Sequence, residues 1–299
     1  MPRPVVLTIG VAETSSAFGV QADLSTLATL HCYGTSVISG LIVGDSASLQ
    51  DCIALDAEIV SDSTRLLLED LPVAAIKIGL PASLDTLCDL AEIVSDYSDL
   101  PLVLDPFCSI LPESGSASDD IIIGLRDLLI PQASLLMLSL PQLNQLALTW
   151  RDEHAPHTLE SDVQWLIEHG CAHVLVSGTL DNQTPAGSVG NTLFGAQGML
   201  RHDSWPRLPG QFLGAGACLS AAITALLAHG VELPNAVLQA QLYCAHALSH
   251  ATRLGMGKLI PARHLLPSSL FEPALEVIQD DAAVAHPAER TSSALDFAQ

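Results

Sequence analysis

Residues 5–30 read VVLTIGVAETSSAFGVQADLSTLATL. The opening run, 5–9, is made of β-formers, and Gly10 follows it. From residue 18 to 30 the period changes, and Val20, Leu24, Leu27 and Leu30 fall on one face of a helix. Between the two lies a loop of small and hydroxyl residues, 10–19. This is a strand, a loop and a helix in that order, and the rest of the chain repeats the unit.

Strands are expected at 36–43, 73–78, 102–104, 135–138 and 174–176, and helices at 49–68, 83–94, 121–129, 142–148 and 162–169. The strands are apolar throughout rather than alternating, as in a parallel sheet covered on both faces. The order βαβαβα predicts a doubly wound α/β fold. After Ser177 the pattern changes. Residues 191–194 and 199–202, joined by Gly195-Ala196-Gln197-Gly198, read as an antiparallel hairpin. Two Ala-rich helices follow, at 215–229 and 235–253. One α/β domain over 1–265 is expected, with a C-terminal extension, 266–299, whose polar end from about 280 is expected to fray.

The composition sets limits. The chain has 299 residues, 33 acidic and 11 basic, for a formal charge of −22, and its only lysines are Lys77 and Lys258. Nucleic acid and anionic membrane surfaces would find few counter-charges here, so neither is expected as a partner. The carboxylates read first as a solubility device. Apolar residues make up 49% and charged ones 15%, enough for a large core. The longest apolar stretch, 128–148, holds Pro131, Pro141, Gln132, Gln142, Asn144 and Gln145, too many kinking and polar groups for the roughly 20 residues of a membrane span. Residues 1–16 do not read as a signal peptide. The seven cysteines are spread singly with no CxxC pair. Cys32, Cys52, Cys88, Cys108, Cys171 and Cys244 read as small core residues of a reducing compartment, and no cluster has zinc-ligand spacing. A cytoplasmic location is expected.

In an open parallel sheet, ligands bind beyond the carboxyl ends of the strands. Three segments are expected to meet there in one cleft. The loop 10–19 reads equally as a ligand-embracing turn or an ordinary capped connection. Asp105, before Pro106, reads as a functional carboxylate or a turn residue. Residues 210–218, GQFLGAGAC, enter an Ala-rich helix, where glycines permit a tight turn and the first free N–H groups suit an anion.

These residues also carry a family pattern. Gly19-Val20-Gln21-Ala22-Asp23-Leu24, Tyr33-Gly34-Thr35-Ser36-Val37-Ile38, Lys77-Ile78-Gly79, Leu102-Val103-Leu104-Asp105-Pro106 and Gly214-Ala215-Gly216 through Leu219-Ser220-Ala221-Ala222 resemble, in order and spacing, the hydroxymethylpyrimidine/phosphomethylpyrimidine kinases of thiamine biosynthesis. The resemblance runs over about residues 4–265. It implies a ribokinase-like three-layer α/β sandwich with a mainly parallel central sheet. It also implies phosphoryl transfer from ATP, with Mg²⁺, to the hydroxymethyl group of a small heterocycle and then to the resulting monophosphate. A homodimer is implied too, and pyridoxal kinases are close relatives. By resemblance Gly214 and Gly216 form the anion hole, Asp105 lies near the phosphates and metal, Glu13, Gly19 and Gly44 face the substrate, and Ser177 and Gly178 face the nucleotide.

The departures from that pattern bear on chemistry. The family opens with GTDxSGGAG, where this chain has Glu13 for the Asp, and Ala17 and Phe18 at small positions. The pyrimidine-reading Gln falls on Gly44. Phe18 is expected to intrude on the pocket and Gly44 to open space. Asn-Leu-Pro-Glu becomes Ser139-Leu140-Pro141-Gln142, and Lys-Gly-Gly becomes Ser177-Gly178-Thr179. At the catalytic base position, Cys in the family and Asp in pyridoxal kinases, stands Ala217. Cys218 comes one residue later, which on a helix turns its thiol by about 100°. Loss of a general base typically costs about 10²–10⁴ in rate. Two readings follow: a kinase with a weakened site, or a kinase fold that binds a small molecule or a partner without transferring phosphate. Glu13 and Cys218 are the first candidates for a substitute base.

Overall fold

The computed structural model describes residues 3–106, 119–152, 157–179 and 186–267. The described residues between 3 and 266 belong to one compact unit. The extension from residue 268 on, with its expected frayed end, and Cys108 lie outside the described residues.

The strand-loop-helix order of the sequence reappears, although the first strand, expected at 5–9, runs on to Glu13 and takes in residues expected in the loop. Strand β1 (Val5–Glu13) leads to helix α1 (Gly19–Thr29), then β2 (Tyr33–Gly44), β3 (Leu49–Ala54), α2 (Ala57–Asp70), β4 (Val73–Ile78), α3 (Leu84–Asp96) and β5 (Leu102–Leu104). Helix α4 (Asp119–Gly124) runs through a π turn, Leu125–Leu129, to β6 (Leu135–Ser139). Then come α5 (Leu140–Ala147), α6 (Leu159–Glu168), β7 (Val174–Thr179), β8 (Ser188–Gly195), β9 (Gly198–Pro206), α7 (Ala215–Ala228) and α8 (Leu233–Ser249). The nine strands form one sheet in the order β3-β2-β1-β4-β5-β6-β7-β8-β9. The strands from β2 to β7 in that order are parallel, and β3, β8 and β9 add antiparallel at the two ends.

Alternation along the central strands divides the core into two layers. Leu7, Ile9, Ile76, Ile78, Leu104, Leu136 and Val176 join residues of α2 to α6 in one cluster. The intervening Val6, Ala75, Val103, Leu135 and Leu175 are buried as completely, on the face where α1 and α7 pack. One residue of that second series is a lysine, Lys77.

The helix expected over 49–68 is instead β3 followed by α2. Leu49, Cys52 and Ile53 have helical spacing, but the segment pairs with β2, Leu41 opposite Ile53. The helix begins only where the Asp56 carboxylate accepts from Glu58 N at 2.9 Å. Among the cysteines, Cys32, Cys171, Cys218 and Cys244 are buried, but Cys52 is half-buried and Cys88 is exposed on α3, so the last two are not core residues. No helix among the described residues is long and apolar enough to cross a membrane.

After α8 the chain doubles back over the end of the sheet. Leu259 N donates to Gln211 O at 2.8 Å, and Leu213 N donates to Leu259 O at 2.9 Å. Ala262 N donates to Ala247 O at 2.9 Å. This strap pins the turn that precedes α7.

Candidate active site

Beyond the carboxyl ends of β1, β4, β5, β6 and β7 lies a cleft of about 240 Å³. Asp105, Gly10 of β1, Phe18, Gly19 at the start of α1, and Gly214, Gly216 and Ala217 all line it. The three segments singled out by the sequence therefore share one cavity.

The first wall is the end of β1 and the turn that follows it. Glu13 is fully buried. Its carboxylate accepts from Ser15 N at 2.9 Å, Ser15 Oγ at 2.7 Å and Ala17 N at 3.0 Å. It folds the loop around itself and does not line the cleft, which corrects its expected place facing the substrate. Gly19 is needed for its backbone: φ is +71°, and a Cβ would stand 2.3 Å from Val11 O. Phe18 lines the cleft and packs on Val11, Ile42, Leu49 and Leu80. Gly44 is also outside the cleft lining. Its carbonyl accepts from Thr14 Oγ1 at 2.6 Å, and a Cβ there would meet Ser48 O at 2.7 Å. It opens no space, because the β2–β3 turn already fills it.

The floor is polar, and it includes residues the sequence reading quoted but did not assign. Lys77, 2% exposed, places Nζ 2.8 Å from Asp23 Oδ2. Thr8 Oγ1 donates to the same oxygen at 2.6 Å. The other oxygen, Oδ1, is buried without a hydrogen-bond partner. Asp23 and Lys77 both line the cleft. A lone lysine in an otherwise apolar strand was the available signal, since a buried charge needs a partner.

Asp105 follows β5 and accepts from Ser220 Oγ, on α7, at 2.8 Å through Oδ2. Burial raises its pKa above the ordinary value, with the Lys77 charge and the Ser220 hydrogen bond opposing and Asp23 adding to the rise. The sign of the consequence is definite. Below about pH 4 the carboxyl is protonated in folded and unfolded chains alike. As the pH climbs past the unfolded value, the unfolded chain ionises first and stability falls until the raised folded pKa is passed. Asp105→Asn is therefore expected to melt above wild type at neutral pH, with the gain disappearing in acid. Paired thermal melts from pH 3.5 to 8 check this, and a gain independent of pH would refute it.

Helix α7 supplies the anion turn. Gly214 is its N-cap, with φ +82°. A Cβ at Gly214 would lie 1.7 Å from Ala17 O, so the turn and the first loop are in backbone contact. The Cβ position of Gly216 is 3.9 Å from Asp105 Oδ2. Ala217 lines the cleft. Cys218 is fully buried beside Cys244, whose thiol donates to Ala215 O at 3.6 Å. Neither Cys218 nor Glu13 reaches the cavity. Ser139 and Gln142 line it but cap α5: Gln142 Oε1 accepts from Ser139 N at 2.7 Å, and Ser139 Oγ accepts from Gln142 N at 3.5 Å. Ser177 is in the lining; Gly178, with φ +79° and no atom within 4 Å of a Cβ position, is not.

The profile of one family, described as phosphomethylpyrimidine kinase, matches residues 13–261. The chain belongs to this family. It is 30% identical to the hydroxymethylpyrimidine/phosphomethylpyrimidine kinase of Escherichia coli K12, over 88% of this chain and 98% of that one. The phosphomethylpyrimidine kinase of Clostridium difficile 630 superposes with a TM-score of 0.67 at 25% identity, covering 82% of this chain and 100% of that one. A pyridoxal kinase from Bacillus subtilis, solved with ADP, has the same fold at a TM-score of 0.75 and 21% identity, over 87% of this chain and 97% of that one. The ribokinase-like α/β sandwich expected from the motifs is thus the observed one. Among the described residues no group of three or more His, Cys, Asp and Glu is placed to hold a metal ion.

Proposed function

We propose that this protein is an ATP-dependent kinase of a small hydroxymethyl heterocycle, hydroxymethylpyrimidine or its monophosphate first, working slowly for want of a base at residue 217. The observation that carries the reading is the meeting of the α7 N-terminus, Asp105 and Lys77 in one cleft. Free N–H groups at Gly214–Ala217 stabilise charge that develops on a transferring phosphoryl group, and glycine backbone supplies them whatever the neighbouring side chains are. Lys77 lends positive charge to a floor that otherwise carries two carboxylates.

Mg²⁺ bound with nucleotide phosphates needs only one or two protein carboxylates. Asp105 meets that need, with Ser220 fixing one of its oxygens; when bound, the ion would neutralise phosphate charge. The acceptor's hydroxyl proton has no recipient at Ala217. Wild-type turnover is accordingly slow, and Phe18 narrows the acceptor side.

The nucleotide base fits a second, more apolar cavity of about 310 Å³. Trp205, Pro206, Leu208, Phe212 and Leu248 line it, and the chain from Gly210 to Leu213 leads from it to the anion turn. Ser177 and Gly178 would flank the phosphates. Trp205 Nε1 donates to Gln241 Oε1 at 2.7 Å, which holds the indole in place. ADP is expected to change Trp205 fluorescence, and Trp205→Ala to weaken ADP by about two- to tenfold in calorimetry. Unchanged affinity would put the base elsewhere.

The reading is tested by ATP consumption and product phosphorylation with hydroxymethylpyrimidine, phosphomethylpyrimidine and pyridoxal. Transfer to none of them, in protein that binds ADP, would sink it. Ala217 favours one other reading, a protein that binds the heterocycle without phosphorylating it. A thermal shift with heterocycle but no turnover would support that one.

A further inference from the structure

Arg263 is 5% exposed, yet among the described residues no carboxylate lies within ion-pair distance of it. Its Nη2 donates to Ala17 O and, at 3.1 Å, to Gly214 O. Its Nε is buried without a partner. The backbone that carries it is pinned: Tyr243 Oη donates to Arg263 O at 2.5 Å, and Arg263 N donates to Pro261 O at 3.0 Å. A buried cation satisfied only by carbonyl dipoles is costly for a folded chain. This one also stands at the N-terminus of α7, where the helix dipole is already positive. Two like fields are thus stacked behind one turn, and among the described residues no carboxylate pairs with the guanidinium.

We propose that Arg263 is the charge behind the anion turn: a positioning residue whose guanidinium ties the first loop to Gly214 and whose uncompensated charge is answered by a multiply charged phosphate group seated at Gly214–Ala217. The side chain does not line the cleft and touches no reacting atom. It acts through one layer of backbone, by holding Ala17 and Gly214 together and by field. The ligand class follows from the chemistry. A neutral or singly charged group leaves the field unanswered, whereas a phosphoryl dianion or a polyphosphate answers it. The inference rests on the phosphoryl-transfer reading for its biological sense, but anion binding can be measured without turnover.

The test uses the full chain, with inorganic pyrophosphate as the anionic probe and adenosine as an uncharged control for the base cavity. Calorimetry is run on wild type, Arg263→Gln, Arg263→Met and Arg263→Lys. At a separation of one backbone layer, removal of a unit charge is expected to weaken pyrophosphate about tenfold to a hundredfold, with adenosine unchanged. Arg263→Lys keeps the charge and is expected to stay within about threefold of wild type. Pyrophosphate affinity unchanged in Arg263→Gln overturns the proposal, as does a wild type that does not bind pyrophosphate. If the neutral variants fail to fold, Arg263→Lys decides: a loss of tenfold or more means the fork geometry alone matters, and the charge assignment is wrong. A wild type that binds pyrophosphate through Arg263 but transfers no phosphate refutes the kinase reading and leaves this one standing. Transfer with an indifferent Arg263→Gln does the reverse.

Discussion

Ala217→Asp is expected to raise phosphoryl transfer by about 10²–10⁴, the usual value of a positioned general base. The position faces the cleft from the first turn of α7, close behind Gly214 and Gly216. On the proposed kinase reading, a carboxylate there would stand beside the attacking hydroxyl. The helix N-terminus also favours its ionised form, by about 0.3–1 kcal/mol. The gain therefore does not come from better folding alone, and melts of the variant separate the two. Ala217→Cys is expected to act in the same direction, since a helix N-terminus lowers a thiol pKa. The measurement is ATP consumption with hydroxymethylpyrimidine or pyridoxal, wild type beside both variants. No increase in either variant, with ADP affinity intact, would count against a weakened kinase and favour the binding protein. Robust turnover by wild type would mean that another base exists. Cys218 and Glu13 are turned away from the cavity, so Asp105 is the carboxylate to test.

Lys77→Met is expected to cost about 3–5 kcal/mol of stability, the usual loss when one partner of a buried ion pair is removed. Asp23 is 1% exposed, and its Oδ1 already lacks a partner. Without Lys77 it keeps only the Thr8 hydroxyl. Asp105 would also lose the charge that holds its own pKa down. Adding Asp23→Asn to Lys77→Met removes the stranded charge and is expected to recover much of the loss. The two single variants and the double one form a thermodynamic cycle, read by denaturant melts. A loss below about 1 kcal/mol for Lys77→Met would show that water or a shift of α1 rescues Asp23, contrary to the packed arrangement seen here.

The parallel sheet was legible because its central strands are buried on both faces and so read as plain apolar runs. The end of β5 was legible too, at Asp105-Pro106, but β1 runs four residues past Ile9, because residues 10–13 pair with β2. Strand β3 was not legible. Its Leu49, Cys52 and Ile53 mimic a helical face, and only pairing with Leu41 and its neighbours decides otherwise. In the site, Asp105, the 10–19 segment and the 214–217 turn were expected in one cleft from position along the fold, and Asp105, Phe18, Gly19, Gly214, Gly216 and Ala217 do line one cavity, as does Ser177, which the resemblance had named. Glu13 and Gly44 were misplaced, since whether a loop carboxylate turns outward or folds its own loop depends on which N–H groups surround it. The Lys77–Asp23 pair joins residues 54 apart, and Arg263 reaches Ala17 across 246. No local pattern encodes contacts of that span.

The strap after α8 has a consequence for how the protein is made. A chain leaves the ribosome N-terminus first, and its domains begin to fold in that order. Ala17 and Gly214 precede Arg263 by 246 and 49 residues. At about 5–20 residues per second, the turn before α7 waits roughly 2.5–10 s for the guanidinium that joins it to the first loop. A nascent chain thus acquires its sheet before it acquires its cleft. The turn that borders the cleft gains its strap contacts only once Leu259 and Arg263 have emerged.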